Sequence, residues 1–243
     1  MPLNLVDSSL ESKILFNIKP NSKILEFGPA NGRFTRYLKE TLFCDVYIVE
    51  YDENSFKEAI RFAKDGICDD AMNLSWLDKF FSIEFDYVLF IDALEHLFDP
   101  ANVLRNAVTL LKSKGSIFIS APNMAHSSII IDLINNKFEY RPLGLLDDTH
   151  IRFFTYNSLK EILNCSGLTA ICEDATYLSP EQTEMKNDYT DVSGNTDVLK
   201  SKDYENVYQF VFQAIRTEYY LEKNIDISSN IKKIQQSIAG MSI

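Results

Sequence analysis

Basic residues are in short supply in this chain: 24 lysines and arginines stand against 35 aspartates and glutamates, for a formal net charge of −11. No Lys/Arg cluster interrupts that balance, so the footprint that a phosphate backbone requires is missing and nucleic acid is not an expected partner. The four cysteines, Cys44, Cys68, Cys165 and Cys172, include no C-x-x-C pair, which excludes the common zinc and dithiol arrangements. No apolar run approaches the ~20 residues that cross a bilayer, so no membrane span is expected. The segment from Met1 to Lys19 lacks a basic stretch followed by an apolar block and does not read as a signal peptide. The expectation is a cytoplasmic protein with reduced thiols. Hydrophobic residues make up 46% of 243 positions, enough to bury one full core in one principal domain.

Glycine is sparse as well, with eight in the chain, and two of them stand four residues apart at Gly28 and Gly32. They follow Ile24, Leu25 and Phe27, which read as a buried parallel strand, and they precede an amphipathic segment from Arg33 to Leu42. Such a turn lets backbone approach a ligand where side chains would clash, and the helix after it offers free N–H groups. A dinucleotide fingerprint needs glycine where Ala30 and Arg33 stand, and a P-loop needs Gly-Lys-Ser/Thr where Gly32-Arg33-Phe34 stands. What remains is E-x-G-x-x-x-G, with Glu26 placed to suit a ligand carrying an ammonium group. Val46 to Val49 is a second β-branched run, closed by Glu50 24 residues after Glu26. An acid ending the second strand of a doubly wound sheet can accept both hydroxyls of a ribose. Tyr51 would lie beside the adenine or the ribose.

The glycine loop and the acid together resemble the first motifs of class I S-adenosylmethionine (SAM) dependent methyltransferases. Gly66 to Ala71 is similar to the third family motif, in which an Asp bonds the adenine amino group; Asp69 and Asp70 both qualify, and Leu74 four residues on favours Asp70. Residues 86–100 resemble the fourth, an apolar strand that ends at Ile91 with Asp92 under the methionine part of the cofactor. The resemblance spans residues 21–121 in family order, departing at Leu110 to Gly115, where Ser113 and Lys114 replace the Pro and first Gly of a Lys-Pro-Gly-Gly turn. Strands alternating with helical stretches predict a parallel sheet covered on both faces. The resemblance implies an α/β, Rossmann-like, seven-stranded, mostly parallel sheet whose last strand is antiparallel. Thr169 to Ala175 and Val207 to Ala214 would form the last pair.

The chemistry must lie outside the cofactor loops. Asp92, Glu95 and His96 stand at i, i+3 and i+4, so a helix starting after Asp92 would present all three on one face. His150, in a loop expected to return over the same crevice, is the fourth candidate. The set resembles the E-x-x-E-H pattern with a distant His of the ubiquinone-pathway O-methyltransferases and the small-RNA 2′-O-methyltransferases, where those residues bind a divalent ion; Asp92 stands at the first Glu. Mg²⁺ or Mn²⁺ would suit such ligands and would help deprotonate a hydroxyl acceptor. His150, or His96 beside it, acting as a metal-free general base is the alternative.

The stretch from Ser120 to Leu168 resembles methyltransferases found among bacterial surface-polysaccharide and lipopolysaccharide genes. That resemblance implies an acceptor hydroxyl on a sugar, nucleotide-sugar or surface glycan, with Asn123, His126, Arg152 and Phe154 as candidate substrate residues. Two other readings stand beside it: methylation of a small phenolic or quinone-like metabolite, and a non-catalytic SAM-binding assembly subunit. The expected organisation is an N-terminal helix over 1–20, a methyltransferase domain over 21–216 with a substrate lid at about 121–156, and a helical tail over 217–243. In that tail Ile227, Ile231, Ile234 and Ile238 form a stripe that would pack on the domain or on the second subunit of a homodimer.

Overall fold

The structure is a computed structural model that describes residues 9–194, 196–200 and 204–224. Seven strands, β1 (Lys23–Phe27), β2 (Asp45–Glu50), β3 (Asp65–Cys68), β4 (Phe85–Ile91), β5 (Leu111–Pro122), β6 (Leu168–Tyr177) and β7 (Val207–Arg216), form one sheet in the order β3-β2-β1-β4-β5-β7-β6. The pairs from β3 to β5 are parallel. β7 slots antiparallel between β5 and β6. The sheet is thus the Rossmann-like one expected, with the last strand in the chain reversed.

Alternation along the strands sorts the core into two layers. Leu25, Phe27, Tyr47, Val49, Val88, Phe90, Ile117 and Ile119 share one face with Trp76 and Phe80 of α4 (Ser75–Phe80), Val103 and Leu104 of α5 (Pro100–Thr109), and Leu159 and Leu163 of α7 (Tyr156–Cys165). Ile24, Val46, Ile48, Leu89 and Phe118 point the other way, onto Ile14 and Leu15 of α1 (Leu10–Leu15), Phe34 and Leu38 of α2 (Arg33–Glu40), and Ala59 of α3 (Glu53–Ala59). Helix starts follow their caps: Ser9, Asp52, Asp99 and Thr155 each accept a backbone N–H of the first turn, and Pro100 occupies the position after its cap. Beyond the sheet, α6 (Ser127–Ile134) follows β5, and α8 (Asp197–Lys200) lies in the polar stretch before β7.

Three expectations change. The segment after Asp92, whose own φ is a left-handed 49°, is a single 3₁₀ turn, Leu94–His96, and not an α-helix. The expected turn at Leu110 to Gly115 is absorbed into β5, where Leu111 pairs with Phe85 and the register shifts before Tyr87. The helix expected over Arg33 to Leu42 ends at Glu40. The isoleucine stripe from Ile227 to Ile238 lies outside the described residues.

Gly32 has a structural reason that the motif alone does not reveal. Its φ is 74°, and a Cβ there would come within 2.6 Å of Ala59 Cα, so the glycine lets α2 and α3 close on each other. Gly167 shares the φ of 74° but has open space around it. Gly167→Ala is therefore expected to cost about 1 kcal/mol, from backbone conformation alone, and Gly32→Ala about 2–4 kcal/mol, from conformation plus overlap. Urea unfolding of the two variants checks the difference; equal losses would refute it.

Candidate active site

Parallel strands deliver all their carboxyl ends to one edge, and the chain lines a cavity of about 390 Å³ along it. Small-molecule clefts run to roughly 300–1,000 Å³. Phe27, Gly28 and Ala30 come from the end of β1, Glu50 and Tyr51 from β2, Asp69, Asp70 and Ala71 from β3, and Asp92, Ala93, His96 and Leu97 from β4. Thr149 closes it from the segment after α6.

Glu50 is buried and ties two of these ends together: Ala30 N donates to its Oε2 at 3.0 Å and Asp52 N to its Oε1 at 3.0 Å. Gly28 N donates to Val49 O at 2.9 Å, so the loop is held flat against β2. Tyr51 stands 78% exposed at the rim. Asp69 is consumed locally, accepting from Asp70 N and Asn73 Nδ2 at 2.8 Å each and from Ser75 Oγ. Asp70 caps the 3₁₀ turn Ala71–Asn73, Met72 N donating to its Oδ1 at 2.9 Å.

Glu26 and Gly32 do not line the cavity. Glu26 sits behind the loop on the α2 side of β1, where Thr35 Oγ1 donates to its Oε2 at 2.6 Å. Burial raises its pKa to about 7, the Thr35 bond opposing and the Glu50 charge adding to the rise. Glu26 is expected to face the ligand; in the structure strand alternation sets it on the α2 side of β1.

At the β4 end, Asp92 is clamped. Ser120 Oγ donates to its Oδ1 at 2.6 Å and accepts from its N at 2.9 Å, while Gln209 Nε2 donates to its Oδ2 at 2.9 Å. Burial raises its pKa and the two donors oppose the rise. Asp92 is not part of the metal-capable group, which is Glu95, His96 and His150, with ligand atoms all within 4.8 Å of one another. Both carboxylate oxygens of Glu95 are buried with no hydrogen-bond partner, and burial, with the nearby Asp92 charge, pushes its pKa well above the usual carboxylate range. The 3₁₀ turn carries Glu95, whose carbonyl accepts from Ile151 N at 2.9 Å and Arg152 N at 3.0 Å, so the turn itself anchors the His150 segment. His96 Nδ1 lies 3.2 Å from Thr149 O and His150 Nδ1 3.3 Å from Leu145 O. Carbonyls only accept, so Nδ1 carries the proton in each and Nε2 is left as the basic nitrogen. The rings stand 5.0 Å apart, and burial, then the His96 charge, lowers the His150 pKa.

The expected substrate residues scatter. Asn123 is fully buried; its Nδ2 donates to Tyr204 O and Val207 O and its Oδ1 accepts from Ala125 N. His126 is also fully buried and caps α6, Nδ1 accepting from Ser128 N at 3.1 Å and Nε2 lying 2.9 Å from Leu178 O. Both are expected to contact substrate, and both have their side-chain hydrogen bonds satisfied within the fold. Arg152 stacks 5.0 Å above Phe98, donates to Phe98 O, and lines a separate cleft with Phe154. Phe154 is a core residue. Ser120, Gln209, Thr35 and Thr149 were not singled out by sequence; for the first two no local signal exists, since their contacts to Asp92 span 28 and 117 positions.

A family described as "Methyltransferase domain" matches residues 6–173. A ubiquinone biosynthesis O-methyltransferase of Aeromonas salmonicida (strain A449) is 26% identical over 103 residues, 42% of this chain and 43% of the relative, so the chain aligns with less than half of that protein. Among solved structures, a SAM-dependent methyltransferase from Archaeoglobus fulgidus superposes with a TM-score of 0.56 at 18% identity, covering 84% of this chain and 90% of the other. An S-adenosylmethionine-dependent methyltransferase from Clostridium acetobutylicum gives 0.55 at 12% identity, covering 84% and 88%. With the family model matched over more than half of the chain, this chain belongs to the methyltransferase-domain family, and its sheet is the fold of the SAM-dependent methyltransferases it superposes on.

Proposed function

We propose that the enzyme transfers the methyl group of SAM to a hydroxyl of a sugar, nucleotide-sugar or surface glycan, in the cytoplasm. The observation that carries an oxygen acceptor is the Glu95, His96 and His150 cluster, which adjoins the β4 end of the cavity through His96 and Thr149.

In this reading the cofactor lies along the strand ends. Asp70, less committed to its own loop than Asp69, takes the adenine; Glu50 takes the ribose hydroxyls with its remaining lone pairs; Tyr51 flanks them. The amino-acid end falls over Gly28, Ala30 and Asp92, beside the histidines. An aliphatic hydroxyl is a poor nucleophile near neutral pH, so a group beside the methyl must remove its proton. His150, held neutral by burial with a basic Nε2, meets that need.

The same cluster fits a divalent ion. A buried carboxylate with neither oxygen paired is costly, and a cation would relieve it. Two histidines that each give Nδ1–H to a carbonyl are oriented as metal-ligating histidines are. With Asp92 withdrawn, two imidazoles and one carboxylate suit Mn²⁺ better than Mg²⁺. An ion held there would lower the pKa of the acceptor hydroxyl.

The sugar is favoured by an aromatic group in the segment that also carries His150. Phe138, Tyr140 and Phe153 are exposed and meet edge to face at 5.4 and 6.4 Å, interleaved with Lys137, Glu139 and Arg141. Ring faces alternating with charged donors and acceptors suit a hydroxylated ring, whereas an apolar acceptor would find charges in its way. Phe153 is three residues beyond His150, within ~10 Å along an extended chain. The second reading, a phenolic or quinone-like acceptor, is favoured by the alignment with the ubiquinone-pathway relative.

Calorimetry should show SAM and S-adenosylhomocysteine binding to the wild type, weakened at least tenfold in Glu50→Ala, because a charge-assisted pair and the tie to Ala30 go together. No binding by the wild type would overturn the cofactor reading. Mn²⁺ should raise the melting temperature of the wild type and leave Glu95→Gln and His96→Ala unmoved, and chelator should abolish turnover; full activity in chelator would leave His150 as a metal-free base. Methyl transfer from labelled SAM to a panel of nucleotide-sugars, glycans and catechols decides the acceptor. Turnover of a sugar, with a KM raised several-fold in Tyr140→Ala, is the expected result, and turnover of catechols alone would refute it.

A further inference from the structure

Gln209 belongs to β7, the one strand that runs against the sheet, and that reversal decides where it stands. A parallel strand brings its last residues to the cavity edge. An antiparallel strand brings its first. β7 begins at Val207 on the cavity edge, so Gln209 pairs in register with Pro122 at the end of β5 and with Thr176 near the end of β6. From there its Nε2 reaches Asp92 Oδ2 at 2.9 Å.

Asp92 needs the support. Its φ of 49° is a conformation that costs a non-glycine residue free energy and persists only where the surroundings over-determine it. Ser120 bonds both its backbone N–H and its Oδ1; Gln209 alone holds Oδ2. With one donor on each oxygen the carboxylate cannot rotate, and each oxygen keeps a second acceptor direction for a ligand in the cavity, which Asp92 lines.

We infer that Gln209 is a positioning residue for cofactor binding, fixing the Asp92 carboxylate so that it accepts the ammonium group at the amino-acid end of the ligand. The assignment rests on the SAM reading of the cavity. Glu50 and Asp70 serve the nucleoside end over β2 and β3, whereas Gln209 acts through Asp92 only at the β4 end. Its influence is therefore confined to ligands that carry the amino-acid portion.

5′-Methylthioadenosine keeps the nucleoside and sulfur and lacks that portion. Calorimetry with SAM, S-adenosylhomocysteine and methylthioadenosine on the wild type and on Gln209→Met, close in volume and without a donor, tests the assignment. Both amino-acid ligands should weaken about tenfold, since a hydrogen bond that orients a charged group is lost, while methylthioadenosine binds within twofold of the wild type. In turnover the KM for SAM should rise more than kcat falls. Ser120→Ala, removing the other donor, should split the ligands in the same way. Unchanged SAM affinity in Gln209→Met, or equal weakening of all three ligands, overturns the assignment; the second outcome would mark Gln209 as merely structural. A wild type that binds methylthioadenosine but neither of the others would overturn it while leaving the nucleoside site standing, and a wild type that binds none would overturn the SAM reading and this assignment with it.

Discussion

The Glu50 carboxylate accepts from Ala30 N on one oxygen and from Asp52 N on the other, and much of the site depends on those two bonds. The short loop between β1 and α2 has little side-chain packing of its own. Fastened to the end of β2, it lies flat along the strand ends, so its backbone and the carboxylate that holds it form one wall of the cavity. On the proposed reading, the group that takes the ribose is thus also the group that shapes the surface it binds against. Thr35 and Glu26 complete the tie from behind, joining the first turn of α2 to β1.

The β4 end is organised by the opposite condition, a polar group without a partner. Proteins seldom bury a carboxylate with neither oxygen bonded, because the lost hydration is not returned. Glu95 is held there by its own backbone, whose carbonyl receives two N–H groups from the His150 segment. The same contact therefore fixes the unsatisfied acid and brings the second histidine beside it. An acid raised far above its usual range, a neutral imidazole held by a carbonyl and a second imidazole 5.0 Å away form an arrangement whose sense lies in what enters it.

What the sequence showed and what it hid divide along contact distance. The sheet was legible because its central strands carry apolar runs and the loops after β1 to β4 carry their cavity-lining residues within a few positions of the strand end. Gly28, Glu50, Asp70 and Asp92 stand along one cavity for that reason. Glu26 is in the same motif but does not line the cavity, since an alternating strand turns it to the α2 face. Asn123 and His126 look like site residues in sequence, polar and just past a strand, yet one ties β5 to the β7 segment and the other caps α6. Polar residue types alone do not distinguish a ligand contact from a backbone one; the partner does.

The antiparallel strand explains why the acceptor half resists such reading. Each of the strands β1 to β4 supplies the cavity with the few residues just past its own end, and here that supply is spent on the cavity wall. Contacts that hold Asp92 come from 28 and 117 positions away, and His150 reaches Glu95 across an insertion. The cofactor side is consequently constrained by short-range geometry that related chains must share to bind the same ligand. On the proposed reading the acceptor side is assembled from the segment after β5 and from β7, where length and composition can change without disturbing the loops. Divergence in acceptor among chains of this fold should therefore concentrate in those two regions.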